Sequence, residues 1–226
     1  VPEINGDTIR PEHRLIANPN CSTIISLMAL APLHREAGLR RVIAATYQAA
    51  SGAGAAGLAE LEGNLRAAVE GGEPATEVFG QDLALNLIPW IGPADDGADC
   101  EEERKLRRES RKILGQPDLE VSCTTVRVPV GRTHAIALTA ETERPLGVEA
   151  AEACLRAAPG VELDPERDPR RMRTPRQIAG GDAVVVSRLR AAFDAAPGLA
   201  LFAMGDQIRK GAALNAVQIL EHLARS

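Results

Sequence analysis

Aromatic residues are scarce. Phe, Tyr and Trp make up 2% of the 226 residues, against 45% hydrophobic residues overall. The core must therefore be built from Ala, Val, Leu and Ile. An excess of positive charge is also missing: the net charge is −5, which argues against a nucleic-acid groove. No apolar run reaches the length of a transmembrane helix, and the basic and apolar regions of a signal peptide are lacking. A cytoplasmic protein with no membrane or nucleic-acid partner is expected. Four cysteines (Cys21, Cys100, Cys123, Cys154) are widely spaced and form no CxxC pair. Free thiols in a reducing compartment are expected, and no metal site. An initiator Met is lacking too. Val1-Pro2-Glu3-Ile4-Asn5 opens without a strand–helix unit, as if in mid-protein.

The chain reads as strands and helices in irregular alternation. Arg14–Ala17 is a short candidate strand. It leads into the turn-rich Asn18-Pro19-Asn20-Cys21-Ser22-Thr23, which offers several helix N-caps. A helix follows over Ile24–Leu33, ending near Gly38, with Pro32 expected to bend or shorten it. Arg41–Gln48 is a strand, Ser51–Gly57 a Gly/Ala loop, and Leu58–Glu70 a helix with Leu58, Leu61, Leu65 and Val69 on one stripe. Residues 71–100 read as a long loop, and Glu101–Leu114 as a charged helix. Strands are expected at Leu119–Val128 and Ala135–Thr142, then a helix over Val148–Ala158 and a basic loop over Asp164–Arg176. Strands at Val184–Arg190 and Leu199–Met204 and a helix from Lys210 to Ala224 close the chain. This order predicts an α/β fold of the α+β type, a mixed and largely antiparallel sheet covered by helices.

Some residues carry chemistry. Capped by Asn20, Cys21 falls in a first helical turn, where unpaired N–H groups and the helix dipole favour a thiolate. A small buried apolar residue is the commoner fate of a free cysteine, and on position alone the two readings weigh about equally. Gly52, Gly54 and Gly57 form a G-x-G-x-x-G pattern, but no repeated βαβ units follow it. A backbone loop approaching a ligand closely fits better than a dinucleotide fingerprint. Arg127 and His134 flank a Pro/Gly turn between two strands. A guanidinium suits a carboxylate and an imidazole a proton near neutral pH; a surface ion pair and an ordinary histidine are the plainer reading. Glu102 and Lys105, three apart on a helix, share a face, as do many solvated surface pairs.

Four segments in order resemble the aspartate-semialdehyde dehydrogenase family. They are Asn18-Pro19-Asn20-Cys21-Ser22-Thr23; Tyr47-Gln48-Ala49-Ala50-Ser51-Gly52-Ala53-Gly54; Val126-Arg127-Val128-Pro129 with His134; and Gly205-Asp206-Gln207 with Arg209-Lys210-Gly211-Ala212-Ala213 and Asn215-Ala216-Val217-Gln218. The likeness runs from Val1 to the end of the chain.

The resemblance implies interconversion of aspartyl phosphate and aspartate semialdehyde with NADP(H), on the way to lysine, methionine and threonine. It implies Cys21 as the nucleophile that forms a thioester, His134 as the acid/base at the thiohemiacetal oxygen, and Gln48 as the residue orienting the acyl group. Arg127 matches the clamp on the substrate carboxylate, Glu102 the partner of its amino group (a one-residue shift selects Glu101), and Lys105 a phosphate ligand. Ser51, Gly52 and Gln207 match positions touching the nicotinamide. The implied fold resembles the catalytic domain of glyceraldehyde-3-phosphate dehydrogenase-like enzymes, in a homodimer. Family members begin well before Val1 with an NADP-binding Rossmann domain that these residues do not supply. Residues 1–17 are then the remnant of a junction, 18–205 the catalytic and dimerisation domain, and 206–226 a helix packing on the other domain. Such a fragment is expected to be inactive alone. N-acetylglutamyl-phosphate reductase, malonyl-CoA reductase and a non-catalytic dimerisation module are the rival readings.

Overall fold

A computed structural model describes residues 1–93 and 96–225. Short helix α1 (Pro2–Asn5) precedes α2 (Cys21–Ala37), strand β1 (Leu39–Gln48), α3 (Gly54–Glu70) and α4 (Glu101–Leu114). Next come β2 (Glu120–Arg127), β3 (His134–Thr142), α5 (Val148–Ala157), β4 (Val161–Leu163) and α6 (Pro175–Ile178). The chain ends with β5 (Val184–Ala191), β6 (Gly198–Gly205), a π-helical turn (Arg209–Ala213) and α7 (Leu214–Arg225). The six strands form one sheet in the order β2-β1-β3-β6-β5-β4. The β1–β2 and β4–β5 pairs are parallel, and the other three are antiparallel. The expected mixed, largely antiparallel sheet is therefore present.

Helix α2 forms the centre of the packing. Asn20 caps it, its side-chain oxygen accepting from Ser22 N (3.0 Å) and Thr23 N (3.2 Å). Thirteen of its seventeen residues are buried, among them Ile24, Ile25, Leu27, Leu30 and Leu33. That burial overrides the proline. Pro32 lies inside the helix, which continues to Ala37 rather than stopping short, because apolar contact on nearly every side outweighs the one hydrogen bond the ring removes. Gly38, at φ 68°, then turns the chain directly into β1.

Other departures have local causes. Arg14–Ala17 forms no strand, and Leu15 is 89% exposed. The three-residue β4 was not foreseen, because Val161-Glu162-Leu163 is too short to show a period. Most of the expected Gly/Ala loop is structured: Ala50–Ala53 forms a 3-10 turn and α3 starts at Gly54. The Leu58–Val69 stripe is not the buried face of α3. Leu61 is buried, while Leu65 and Val69 are exposed. Glu60 and Asn64 go inward instead and fasten the long loop. Glu60 accepts from Val78 N and Phe79 N, and Asn64 bonds both N–H and C=O of Ala75. The loop expected over 71–100 is irregular apart from a single antiparallel bridge between Ile88 and Arg127. Its residues 94 and 95 lie outside the described residues.

Candidate active site

Strand parity selects the side chains that meet. Val42 and Ala44 of β1, Val121 and Cys123 of β2, and Ile136 and Leu138 of β3 belong to the main core cluster. Stepping by twos along each strand brings Gln48, Arg127 and His134 onto that same face. Gln48 is registered against Arg127 and His134 against Gly205, so all three lie at one edge of the sheet. Helices α2 and α4 reverse through short turns into β1 and β2, which returns both helix N-termini to this edge. Cys21 and Glu102 arrive there with them.

Cys21 is half-buried in the first turn of α2. The carboxylate of Glu102 accepts two bonds from the Asn20 amide, at 2.8 and 2.9 Å, and one from Gln48 Nε2 at 3.5 Å. Asn20 thus bridges the helix cap and the partly buried carboxylate of Glu102, a contact not visible in the sequence. A depressed thiol pKa was expected here and is not found. Burial pushes Cys21 up to about 11 and the Glu102 charge adds to the rise, outweighing the Ser22 hydrogen bonds and Arg127 that pull it down. Glu102, not Glu101, occupies the inward position. Glu101 pairs with Lys105 at 2.8 Å on the outer face of α4, and this pairing raises the lysine pKa. Lys105 therefore stands outside the enclosed group.

Arg127 is buried. It donates Nη1–H to Ala49 O at 2.7 Å and lies 5.6 Å over the Phe79 ring. A guanidinium carries five N–H donors, so this contact leaves most of the fork for another ligand. His134 is fully buried, and its Nδ1 accepts from Ala49 N at 3.1 Å. The ring proton is thereby assigned to Nε2, which has no protein partner among the described residues. Titration near neutrality does not survive this setting: burial first, and Arg127 second, push the imidazole down to about 3. Gly52 lies over both groups. A Cβ there would sit 2.8 Å from Arg127 Nη1 and 2.9 Å from His134 Cε1.

Ser51 and Gln207 are joined. Gln207 Nε2 donates to Ser51 Oγ at 2.6 Å, and Gln207 Oε1 accepts from Thr133 N at 2.8 Å. Ser51 Oγ in turn donates to Gly131 O at 2.6 Å. Thr133 has φ 80°, a strained turn conformation for a β-branched residue, and presents its N–H to Gln207. Pattern reading identified neither Thr133 nor Phe79; the Pro129–Gly131 turn was the only available cue to the first.

Residues 30–210 match the family model described as semialdehyde dehydrogenase, dimerisation domain. The chain is 43% identical over 223 residues to the aspartate-semialdehyde dehydrogenase of Synechocystis, an alignment covering 99% of this chain and 66% of that protein. The crystal structure of aspartate semialdehyde dehydrogenase II from Vibrio cholerae, complexed with ASA, superposes with a TM-score of 0.95 at 40% identity. That match covers all of this chain and 67% of the other. The enzyme from Candida albicans, solved with NADP, shares the fold at a TM-score of 0.70 and 22% identity, over 98% of this chain and 61% of that one. The chain thus spans about two thirds of the length of these relatives. Its sequence and its sheet agree throughout that span, and it belongs to the aspartate-semialdehyde dehydrogenase family.

Proposed function

We propose that this chain carries the acyl-enzyme site of an NADP-dependent enzyme that reduces aspartyl phosphate to aspartate semialdehyde. The observation that carries the reading is the meeting of Cys21, Gln48, Glu102, Arg127 and His134 at one sheet edge. The charges suit an amino-acid substrate. Arg127 offers its planar fork to the α-carboxylate, and Glu102 offers a carboxylate to the ammonium group. An ammonium beside Glu102 also offsets the smaller, charge-based part of the rise in the Cys21 pKa, while the larger part, from burial, stays. The sulfur then attacks the acyl carbon, the phosphate departs with the thiol's proton, and a thioester oriented by Gln48 remains. His134, neutral and carrying its proton on Nε2, donates to the oxyanion that forms at the former carbonyl. NADPH supplies the hydride when bound. Gly52, packed on Arg127 and His134, would let the backbone come close to the nicotinamide end, with Ser51 and Gln207 adjoining. Lys105 is the outer phosphate ligand.

Two further features support the longer protein's organisation. Ile43 and Tyr47 of β1 are exposed on the sheet face away from α2, and an apolar open face of this kind suits a homodimer. Val217 and Leu220 of α7 are exposed, and so is Leu15, which suits packing of residues 206–226, and of the 1–17 junction, on an NADP-binding domain outside this chain. Residues 18–205 form the catalytic and dimerisation domain in this reading.

Thioester formation needs no nicotinamide, so the 226 residues can be tested alone with aspartyl phosphate and peptide mass mapping. An aspartyl adduct on Cys21 is expected. An adduct confined to Cys100, Cys123 or Cys154, or none on any thiol, leaves a dimerisation module as the better reading. In protein of the relatives' full length, Arg127→Lys is expected to raise the semialdehyde KM and spare that for NADP⁺, because lysine keeps the charge and loses the fork. The opposite pattern in steady-state kinetics removes the carboxylate-clamp role.

A further inference from the structure

Lys210 is a cation with 1% exposure, among the largest fully buried side chains of the protein. Its ammonium donates to both oxygens of Glu3 at 2.7 Å, to Asn215 Oδ1 at 3.0 Å and to Gln218 Oε1 at 2.6 Å. Burial lowers its pKa, and the Glu3 hydrogen bonds and charge oppose that. One side chain thus ties α1, the π-turn and α7 together. A buried cation is costly unless every donor finds a partner, and here the partners come from two elements far apart in sequence, α1 and α7.

What this knot holds in place lies against Cys21. The π-turn is closed by Gly211 N to Asp206 O at 3.1 Å and Ala213 N to Ile208 O at 2.9 Å, each spanning five residues. Gly211 sits in its middle. A Cβ on Gly211 would be 3.0 Å from Cys21 Cβ and 3.4 Å from Gln207 Cβ. The same network reaches the segment before the cysteine. Asn215 Nδ2 donates to Asn18 Oδ1 at 2.6 Å, and Asn18 Nδ2 donates to Ala212 O at 3.3 Å. Relaxing the π-turn to α-helical spacing would rotate the turn by one residue and bring a side chain toward Cys21 where Gly211 now stands.

We infer that Lys210 is a positioning residue for Cys21: its buried ammonium holds the π-turn in the register that seats Gly211, which has no side chain, against the nucleophile. Lys210 lies outside the group of side chains proposed to meet the substrate, and it acts through the turn. The inference rests on the reading of Cys21 as the nucleophile, but its test does not require that reading to hold.

The test measures iodoacetamide alkylation of Cys21 relative to Cys154, a thiol on α5 remote from the turn, across pH values below the about 11 at which Cys21 ionises. Lys210→Met is expected to change the Cys21/Cys154 rate ratio by about tenfold, since displacements of less than an ångström alter reactivity on this scale. Gly211→Ala leaves the Lys210 network intact and is expected to change the ratio comparably. The double variant Lys210→Met with Glu3→Leu removes both charges and so avoids an unpaired buried ion. It is expected to recover the parental melting temperature while keeping the altered ratio. A parental ratio in Lys210→Met or in Gly211→Ala overturns the inference, as does full recovery of the ratio in the double variant. Failure of the parent to form an aspartyl adduct on Cys21 counts against the proposed acyl-enzyme chemistry and leaves this labelling test in force.

Discussion

His134→Asn, in protein of the relatives' full length, is expected to turn over aspartate semialdehyde roughly a hundred to ten thousand times more slowly than the parent, the usual range for a lost acid–base group. Asparagine can still occupy the pocket, so the loss reports chemistry and not collapse. The imidazole is held by Ala49 N at Nδ1 and keeps a buried, unpartnered Nε2–H; an amide lacks that combination of reach and acidity. The same substitution has a signature in stability. The folded state lowers the His134 pKa from 6.5 to about 3. The unfolded chain therefore binds a proton that the folded one refuses, and the stability this group contributes is complete above pH 6.5 and lost as pH falls toward 3. Unfolding measured over that window should be less pH-dependent in His134→Asn than in the parent. Near-parental turnover returns His134 to a plain structural histidine, and an acid slope unchanged by the substitution contradicts the lowered pKa.

Gly52→Ala is expected to lower kcat/KM by about a hundredfold, because a group misplaced by an ångström can cost that much. No positive φ makes the backbone at Gly52 reject a side chain. The conflict is with the site itself: the added methyl would sit 2.8 Å from Arg127 Nη1 and 2.9 Å from His134 Cε1. Either the guanidinium and the imidazole shift, or the backbone that carries Gly52 moves away from them. Gly63 provides the control. It lies within α3 with no atom near its missing Cβ, and Gly63→Ala should leave kinetics unchanged while modestly favouring the helix. Equal activity in the two variants would show that the close packing of Gly52 on Arg127 and His134 does not matter to turnover.

Helix α2 shows how far local signals reach. Asn20 as a cap and Cys21 in the first turn are readable because capping involves neighbours two and three residues on. The same holds for α4, whose limits of Glu101 and Leu114 coincide with those expected for the charged segment. Strands β1, β2, β3, β5 and β6 are legible to within one or two residues at their ends because each is long enough to show its apolar character. Shortening at Pro32 and burial of the α3 stripe did not follow, for one reason. Each was judged by its own helix, whereas burial of α2 on all sides and the polar fastening by Glu60 and Asn64 come from elsewhere in the chain.

The sequence alone determined the class of the sheet, the family, and which residue types stand at the ends of the strands, since propensity, capping and motif order are local. Only the tertiary structure decided the electrostatics. Asn20 and Glu102 are 82 residues apart in sequence, and their contact turns a helix start that would favour a thiolate into a site where burial and a carboxylate keep the thiol protonated. The choice of Glu102 over Glu101, the outward placement of Lys105 and the neutral state of His134 have the same origin. Each depends on which distant charge a side chain meets and how much water is excluded there, and spacing along the chain does not encode either.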